Sequence, residues 1–212
     1  MIKKSVALIV AHPDDETLWA GGTILSHPSW KCFIVCLCRK NDAERSQKFR
    51  IALKILRSDG IMGDLDDGPD QEPLDEKVIE SEILNLLPSV HFDLVITHNP
   101  EGEYTRHRRH EETGQGVKIL WDNGKILADE LWTFAYEDGN RKYYPIPVKN
   151  ATIYRELTKH IWERKYSLIT EIYGFEKDSW EARTTPKSEA FWQMTNINEA
   201  QIWLNHLRNE QQ

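Results

Sequence analysis

Continuous apolar runs alternate with segments in which apolar residues recur every three or four positions. Ser5 to Ala11, Cys32 to Cys38 and Phe92 to Thr97 are the continuous runs, rich in β-branched residues. Such runs predict strands buried on both faces. Leu131 to Glu137 reads as a further strand. Glu16 to Leu25 predicts a helix, with Gly21 and Gly22 inside it. Glycine costs helix propensity, so close packing is expected there. Asp42 is placed to cap the next helix, whose Phe49, Ala52, Leu53 and Leu56 share one face. Gly60 to Pro73, with Asp64, Asp66, Asp67, Asp70 and Glu72, reads as a solvated acidic loop. Leu74 to Leu87 is helical through Ile79, Ile83, Leu86 and Leu87, and Pro88 stops it. Tyr154 to Ile172 is helical in pattern, and Ile197, Ala200, Leu204 and Leu207 mark a last amphipathic helix. The alternation over the first hundred residues predicts an α/β domain with a mainly parallel sheet and right-handed crossovers.

Composition narrows the partners. A chain of 212 residues suits one domain, and no linker divides it, so residues 1–212 are expected to form a single unit. Net charge is 27 − 34 = −7, which disfavours nucleic acid as a partner. The longest apolar runs fall far short of the roughly 20 residues of a membrane span. The opening run is broken at once by His12-Pro13-Asp14-Asp15-Glu16, with no cleavage site, so it reads as a strand rather than a leader. The three cysteines, Cys32, Cys36 and Cys38, are even-numbered and expected on one strand face as reduced core thiols. That usage suits a cytoplasmic protein. Assembly into a homo-oligomer is compatible with the sequence.

Two clusters carry candidate chemistry, each just past the end of a buried strand. Ligands of open α/β sheets bind beyond the carboxyl ends of the strands. The first is Ala11-His12-Pro13-Asp14-Asp15-Glu16, with an imidazole and carboxylates close together. The second is Tyr104-Thr105-Arg106-His107-Arg108-Arg109-His110-Glu111, with two imidazoles at i, i+3, expected on one helical face with Val117 and Trp121. Together they supply His, Asp and His ligands with a fourth position for water, as in a catalytic zinc site. Asp14 and His107 are left beside it, and the metal would bring its water near neutral pKa. Hydrolysis is the economical inference.

These residues resemble the PIG-L/LmbE-like zinc deacetylases, which include N-acetylglucosaminyl-phosphatidylinositol, mycothiol and bacillithiol-pathway deacetylases. The similarity runs from about Ser5 to Gly114 and rests on Ala11 to Glu16 plus the later His-x-x-His. It implies a Rossmann-like three-layer fold with the active site at the carboxyl ends of the strands. It also implies Zn²⁺ held by His12, Asp15 and His110, with Asp14 as general base and His107 polarising the amide carbonyl or steadying the oxyanion. Arg45 fits the place of a substrate-contacting arginine. Fe²⁺ suits the same ligands. The family often has Asp before its last His, where this chain has Arg109, expected to disfavour a protonated His107 by like charge. Tyr173-Gly174 stands about where a late His or Tyr-x-Ser-Gln element falls, without the Ser-Gln. The implied substrate is a small N-acylated amino sugar or its conjugate. Asp66, Asp67 and Asp70 with Trp19, Tyr104 and Trp121 are candidates to line its site. A non-catalytic sugar- or nucleotide-binding domain and another metallohydrolase, such as a phosphoesterase, are the alternative readings.

Overall fold

The structure, a computed structural model, describes residues 3–104 and 107–195. Strands and helices alternate as β1 (Ser5–Val10), α1 (Asp15–Ser26), β2 (Lys31–Cys38), α2 (Ala43–Leu56), β3 (Asp59–Leu65), α3 (Glu76–Leu86), β4 (Phe92–Thr97), α4 (Arg108–Asp122) and β5 (Ala128–Phe134). Two short strands, β6 (Tyr136–Glu137) and β7 (Ile146–Pro147), form a separate hairpin. They are followed by β8 (Ile153–Glu156), α5 (Lys159–Ser167), a π-helical turn (Leu168–Ile172), α6 (Trp180–Thr184) and β9 (Ser188–Thr195).

The seven-stranded sheet has the order β3-β2-β1-β4-β5-β9-β8. Its first five strands are parallel, while β9 runs against both β5 and β8. Ala7 of β1 lies between Phe33 of β2 and Val95 of β4. The chain therefore moves one way from β1 and later returns to its other side. That reversal opens a crevice at the carboxyl ends of β1 and β4.

Alternation along the strands feeds two cores. Val6, Leu8, Val10, Ile34, Cys36, Leu94 and Ile96 pack under α1, α2 and the π-helical turn. Ala7, Ile9, Val35, Leu37, Val95 and Leu131 pack under α3 and α4. The three-layer α/β reading of the sequence is the observed fold.

Several boundaries differ from expectation. The first half of the acidic loop is strand β3, in which only Met62 and Gly63 are buried. A strand with one covered neighbour and two glycines carries no apolar run to betray it. Tyr154–Ile172 begins as strand β8 and is helical only from Lys159. The strand read over Leu131–Glu137 starts at Ala128 and breaks after Phe134. Strand β9 had no signal of its own. Cys38 leaves the face of Cys32 and Cys36, because the pairing of β2 with β3 shifts register between Cys36 and Cys38. All three thiols are free and buried, and burial pushes Cys32 up to about 12. The amphipathic pattern from Ile197 to Leu207 lies outside the described residues.

One polar device fastens the helices to the added strands. Lys165 of α5 and Glu189 of β9 are fully buried and 2.6 Å apart. Glu189 also accepts the backbone N–H of Gly22 (2.8 Å) and Thr23 (2.6 Å) in α1. A Cβ on Gly22 would strike Leu157 and Glu189, so the close packing expected at the glycine pair holds at Gly22.

Candidate active site

The crevice is stitched across its floor. At the end of β1, the Ala11 N–H donates to His98 Nε2 at the end of β4 (3.0 Å). His98 Nε2 thus offers its lone pair to a backbone donor, and its Nδ1–H donates to Glu103 (3.0 Å). His98 lies close to Asp15 and His110, but that lone pair is taken.

The turn after β1 then bends sharply. Asp14 precedes α1 with φ 127°, a conformation that costs a non-glycine residue of order 1–3 kcal/mol. Its N–H donates to Glu16 Oε2 (3.0 Å). Glu16, wholly buried, also accepts the hydroxyls of Thr17 and Tyr173, the latter at 2.8 Å. Tyr173, which the sequence left without a partner motif, buttresses this turn.

Beyond the turn, His12 Nδ1, Asp15 Oδ2 and His110 Nε2 converge. The three separations are 3.2 Å, 3.1 Å and 3.3 Å. Each group is fixed from behind. His12 Nε2 faces Asp67 Oδ1 (3.1 Å), and His110 Nδ1 faces Glu103 Oε2 (2.8 Å). A carboxylate can only accept, so those outer nitrogens carry the protons. The Trp19 indole donates to Asp15 Oδ1 (3.1 Å). In neutral imidazoles the two inner nitrogens are then lone pairs facing a carboxylate oxygen. A cation relieves that arrangement. Ligands about 2.0–2.2 Å from a tetrahedral Zn²⁺ stand roughly 3.3–3.6 Å apart, close to the spacing found. With protons as the only cations, Asp15 and the hydrogen bonds raise His12 and His110 against the opposing effect of burial, while the histidines hold Asp15 well below the usual carboxylate range although burial opposes them. The residues present fit a divalent metal with carboxylate-backed histidines.

His107 stands at the mouth of this group. It precedes α4 in extended conformation, so it does not share the helical face of His110 as expected, although the two rings stack at 4.2 Å. Its Nδ1 is buried with no hydrogen-bond partner among the described residues. Burial, then His110 and His12, hold it down at about 3. A protonated His107 is disfavoured, as expected beside Arg109, but by burial and the neighbouring histidines. The Arg109 guanidinium turns away to the Asp66 and Glu72 carbonyls and to Glu112. Arg109 is almost wholly buried and ties the loop after β3 to α4. That loop carries Asp67 over His12.

The cavity holds about 400 Å³ and is lined by His12, Asp14, Asp15, Tyr104, His107 and His110, with Arg39, Arg45 and Asp67 at its rim. Burial and Asp15 raise Asp14 well above the usual carboxylate range, and Arg45 opposes them. The Arg45 guanidinium is 3.3 Å from Asp14 Oδ2 and lies over the Phe175 ring. Of the residues considered for a sugar site, Asp67 and Tyr104 line the cavity. Trp19 is buried behind it, Asp66 and Asp70 are exposed, and Trp121 belongs to the opposite core, donating to the Ala128 carbonyl. Glu103, His98 and the pairing role of Asp67 were missed. Asp67 lies 55 positions from His12, and Glu103 is 5 and 7 positions from His98 and His110 across a loop with no helical or strand period.

Comparison with known proteins decides the family. A sequence model of GlcNAc-PI de-N-acetylase (PIG-L) matches residues 7–121, which span both clusters. The chain belongs to the PIG-L family. Another protein with similar sequence is L374 of Acanthamoeba polyphaga mimivirus, an uncharacterised protein. It is 23% identical over 187 residues, which is 82% of this chain and 77% of that one. Among solved structures, the N,N'-diacetylchitobiose deacetylase of Pyrococcus horikoshii aligns with TM-score 0.66 and 18% identity, covering 91% of this chain and 84% of its own. The 4-carboxy-2-hydroxymuconate hydratase GalB of Pseudomonas putida KT2440 aligns with TM-score 0.60 and 16% identity, covering 92% and 98%. The PIG-L fold is thus shared with a protein named for a different reaction. No described helix is long and apolar enough to cross a membrane.

Proposed function

We propose that this PIG-L family member is a metal-dependent hydrolase that removes an N-acetyl or related N-acyl group from an amino sugar or its conjugate. The observation that carries the reading is the convergence of His12 Nδ1, Asp15 Oδ2 and His110 Nε2, with their outer atoms pinned by Asp67, Trp19 and Glu103. His12, Asp15 and His110 would hold Zn²⁺ or Fe²⁺. The ion, when bound, supplies Lewis acidity toward the amide carbonyl and the attacking water.

Asp14 is the base. Its raised affinity for protons brings it nearer the working pH, where a general base is most effective. It takes a proton from water as the oxygen attacks the carbonyl carbon, then returns that proton to the departing amine. Arg45 restrains its carboxylate and faces the cavity, placed to meet the substrate. His107 acts as a neutral hydrogen-bonding group, its ring in the cavity wall placed to donate to the tetrahedral oxyanion.

The test is acetate release by protein reconstituted with Zn²⁺ or Fe²⁺, offered free N-acetylglucosamine, its glycosides and short chitin oligomers. Release from any of these supports the reading. Metal-loaded protein that releases no acetate from the panel counts against it. A second expectation concerns the ligands. Metal titration should show His110→Ala losing tight binding, and Glu103→Gln or Asp67→Asn weakening it about 10–100-fold. Undiminished affinity in His110→Ala would remove that residue from the site.

A further inference from the structure

Helix α1 ends at Ser26, and the chain leaves for β2 through a turn closed by the Trp30 N–H on the His27 carbonyl (2.9 Å). Beside that turn, the face of β5, β9 and β8 borders a cavity of about 530 Å³. Lys4, in its wall, precedes β1, whereas His12 follows β1. The cavity therefore lies at the amino ends of the parallel strands, away from the crevice at their carboxyl ends. We propose that it is a second ligand site, which takes a small aromatic carboxylic acid. The inference does not depend on the reaction carried out in the crevice.

Arg155 is the first argument. Its guanidinium donates to His27 Nε2 (2.9 Å) and lies over the Trp132 ring at 5.6 Å. His27 accepts there because its Nδ1–H is committed to the Thr23 carbonyl (2.7 Å). Neither partner is an anion, and no carboxylate among the described residues pairs with this half-buried cation. A guanidinium has five N–H donors in a planar fork, which meets a carboxylate through two parallel hydrogen bonds.

The other charges of the wall are already matched. Lys4 and Glu130 stand 3.3 Å apart, and Glu130 also accepts from Trp132 Nε1 (2.9 Å) and Gln193 Nε2 (3.1 Å). Burial, with Arg155 and Lys4, holds His27 below its usual range although its bond to Thr23 opposes them. One positive charge is left over, which suits a carboxylate. A phosphate, with a charge of about −1.5 to −2, would face Glu130 with no second cation to itself. The end of α1 does not repel an anion as bare carbonyls would. Gly22 accepts the Ser26 hydroxyl (2.7 Å), Thr23 accepts His27, and Ile24 accepts the His27 N–H (3.0 Å).

The apolar lining specifies the rest of the ligand. Trp30 is stacked on His27 (4.1 Å, 17°) and meets Trp132 edge-on at 6.3 Å. Ile153 and Pro28 extend this wall. Apolar and aromatic walls around one convergent charged group are the pattern of a small-molecule pocket. Two indoles at a steep angle offer a flat ring both a face and an edge, and side chains fixed in advance lose little entropy on binding.

The experiment is calorimetric titration of the metal-loaded protein with 2-naphthoate, cyclohexanecarboxylate and 2-naphthyl phosphate. Naphthoate should bind saturably with Kd on the order of 0.1–1 mM, the scale for a ligand of that size. It should bind about three- to tenfold more tightly than the cyclohexane acid, and Trp30→Ala should remove that preference. Arg155→Gln should weaken naphthoate about tenfold or more. Arg155→Lys, which keeps the charge and loses the fork, should weaken it several-fold and decides the matter if the glutamine variant does not fold. His110→Ala should bind naphthoate as the wild type does. No saturable binding up to about 10 mM, or an affinity untouched by the Arg155 variants, overturns the site. Loss of binding in His110→Ala would place the acid in the crevice and overturn it as well. Tighter binding of the phosphate, or equal binding of the two carboxylic acids, overturns the ligand class.

Discussion

Asp14→Asn should keep its metal and lose about 10²–10⁴-fold in turnover, the usual weight of a general base. The substitution is chosen to change little else. Asparagine has the size of aspartate, and its oxygen still accepts from Arg45, which is 3.3 Å from the native carboxylate. The backbone at this position has φ 127°, and asparagine enters positive φ more readily than most residues. The hydrogen bond from this residue's N–H to Glu16 is unaffected by the side chain. What the amide lacks is a basic oxygen to take the proton of the attacking water. Metal retention follows because Asp15, not Asp14, lies against His12 and His110. Metal analysis alongside acetate release separates the cases. Turnover within a few-fold of the wild type would place the base elsewhere, and loss of the ion would make Asp14 a ligand.

The second large effect is on stability. Lys165→Met should cost about 3–5 kcal/mol, because it leaves Glu189 as a buried charge without its partner. For a chain of this length that is a fall of roughly 6–20 °C in Tm. Methionine fills nearly the same volume, so loss of packing contributes little. Both charges are fully buried in the native pair, and no solvent is at hand to replace the ammonium. Glu189 would still hold the N–H groups of Gly22 and Thr23. Adding Glu189→Gln removes the stranded charge and keeps a carbonyl oxygen for one of those donors, since Gly22 and Thr23 use different oxygens. The double variant should therefore recover part of the loss. Thermal unfolding of the three proteins checks this, and a single variant as stable as the wild type would show that water reaches the pair.

The parallel core and both reactive clusters were legible because short-range rules govern them. Val6–Ala11 and Leu94–Ile96 are buried on both faces, so their apolar runs are unbroken, and the residues that follow mark the strand ends. Strand β3 escaped notice for the opposite reason: an edge strand of Asp-Gly-Ile-Met-Gly-Asp-Leu needs little apolar surface. Strands β8 and β9 are placed by pairing with each other and with β5, which no local period records. Within the site, His12, Asp15 and His110 were readable as metal-binding types. Glu103 and Asp67 were not, because their meaning depends on which ring nitrogen they face, across a loop for Glu103 and across 55 positions for Asp67. Arg109 was readable as a departure from the family, but its direction was not. Its charge serves the loop after β3 instead of lying against His107.

His12 and His110 are 98 positions apart, although one stands in the turn after β1 and the other in the first turn of α4, which follows the adjacent strand β4. Everything between them is the crossover that builds β2, α2, β3 and α3 and brings the chain back beside β1. During synthesis the amino-terminal His-Asp pair emerges long before its third companion. If these groups hold an ion as proposed, an incomplete chain offers it two ligands and no carboxylate-backed His110. Full affinity would then arrive only when α4 has docked, and capture of the ion would report that the first half of the sheet has closed in the right order.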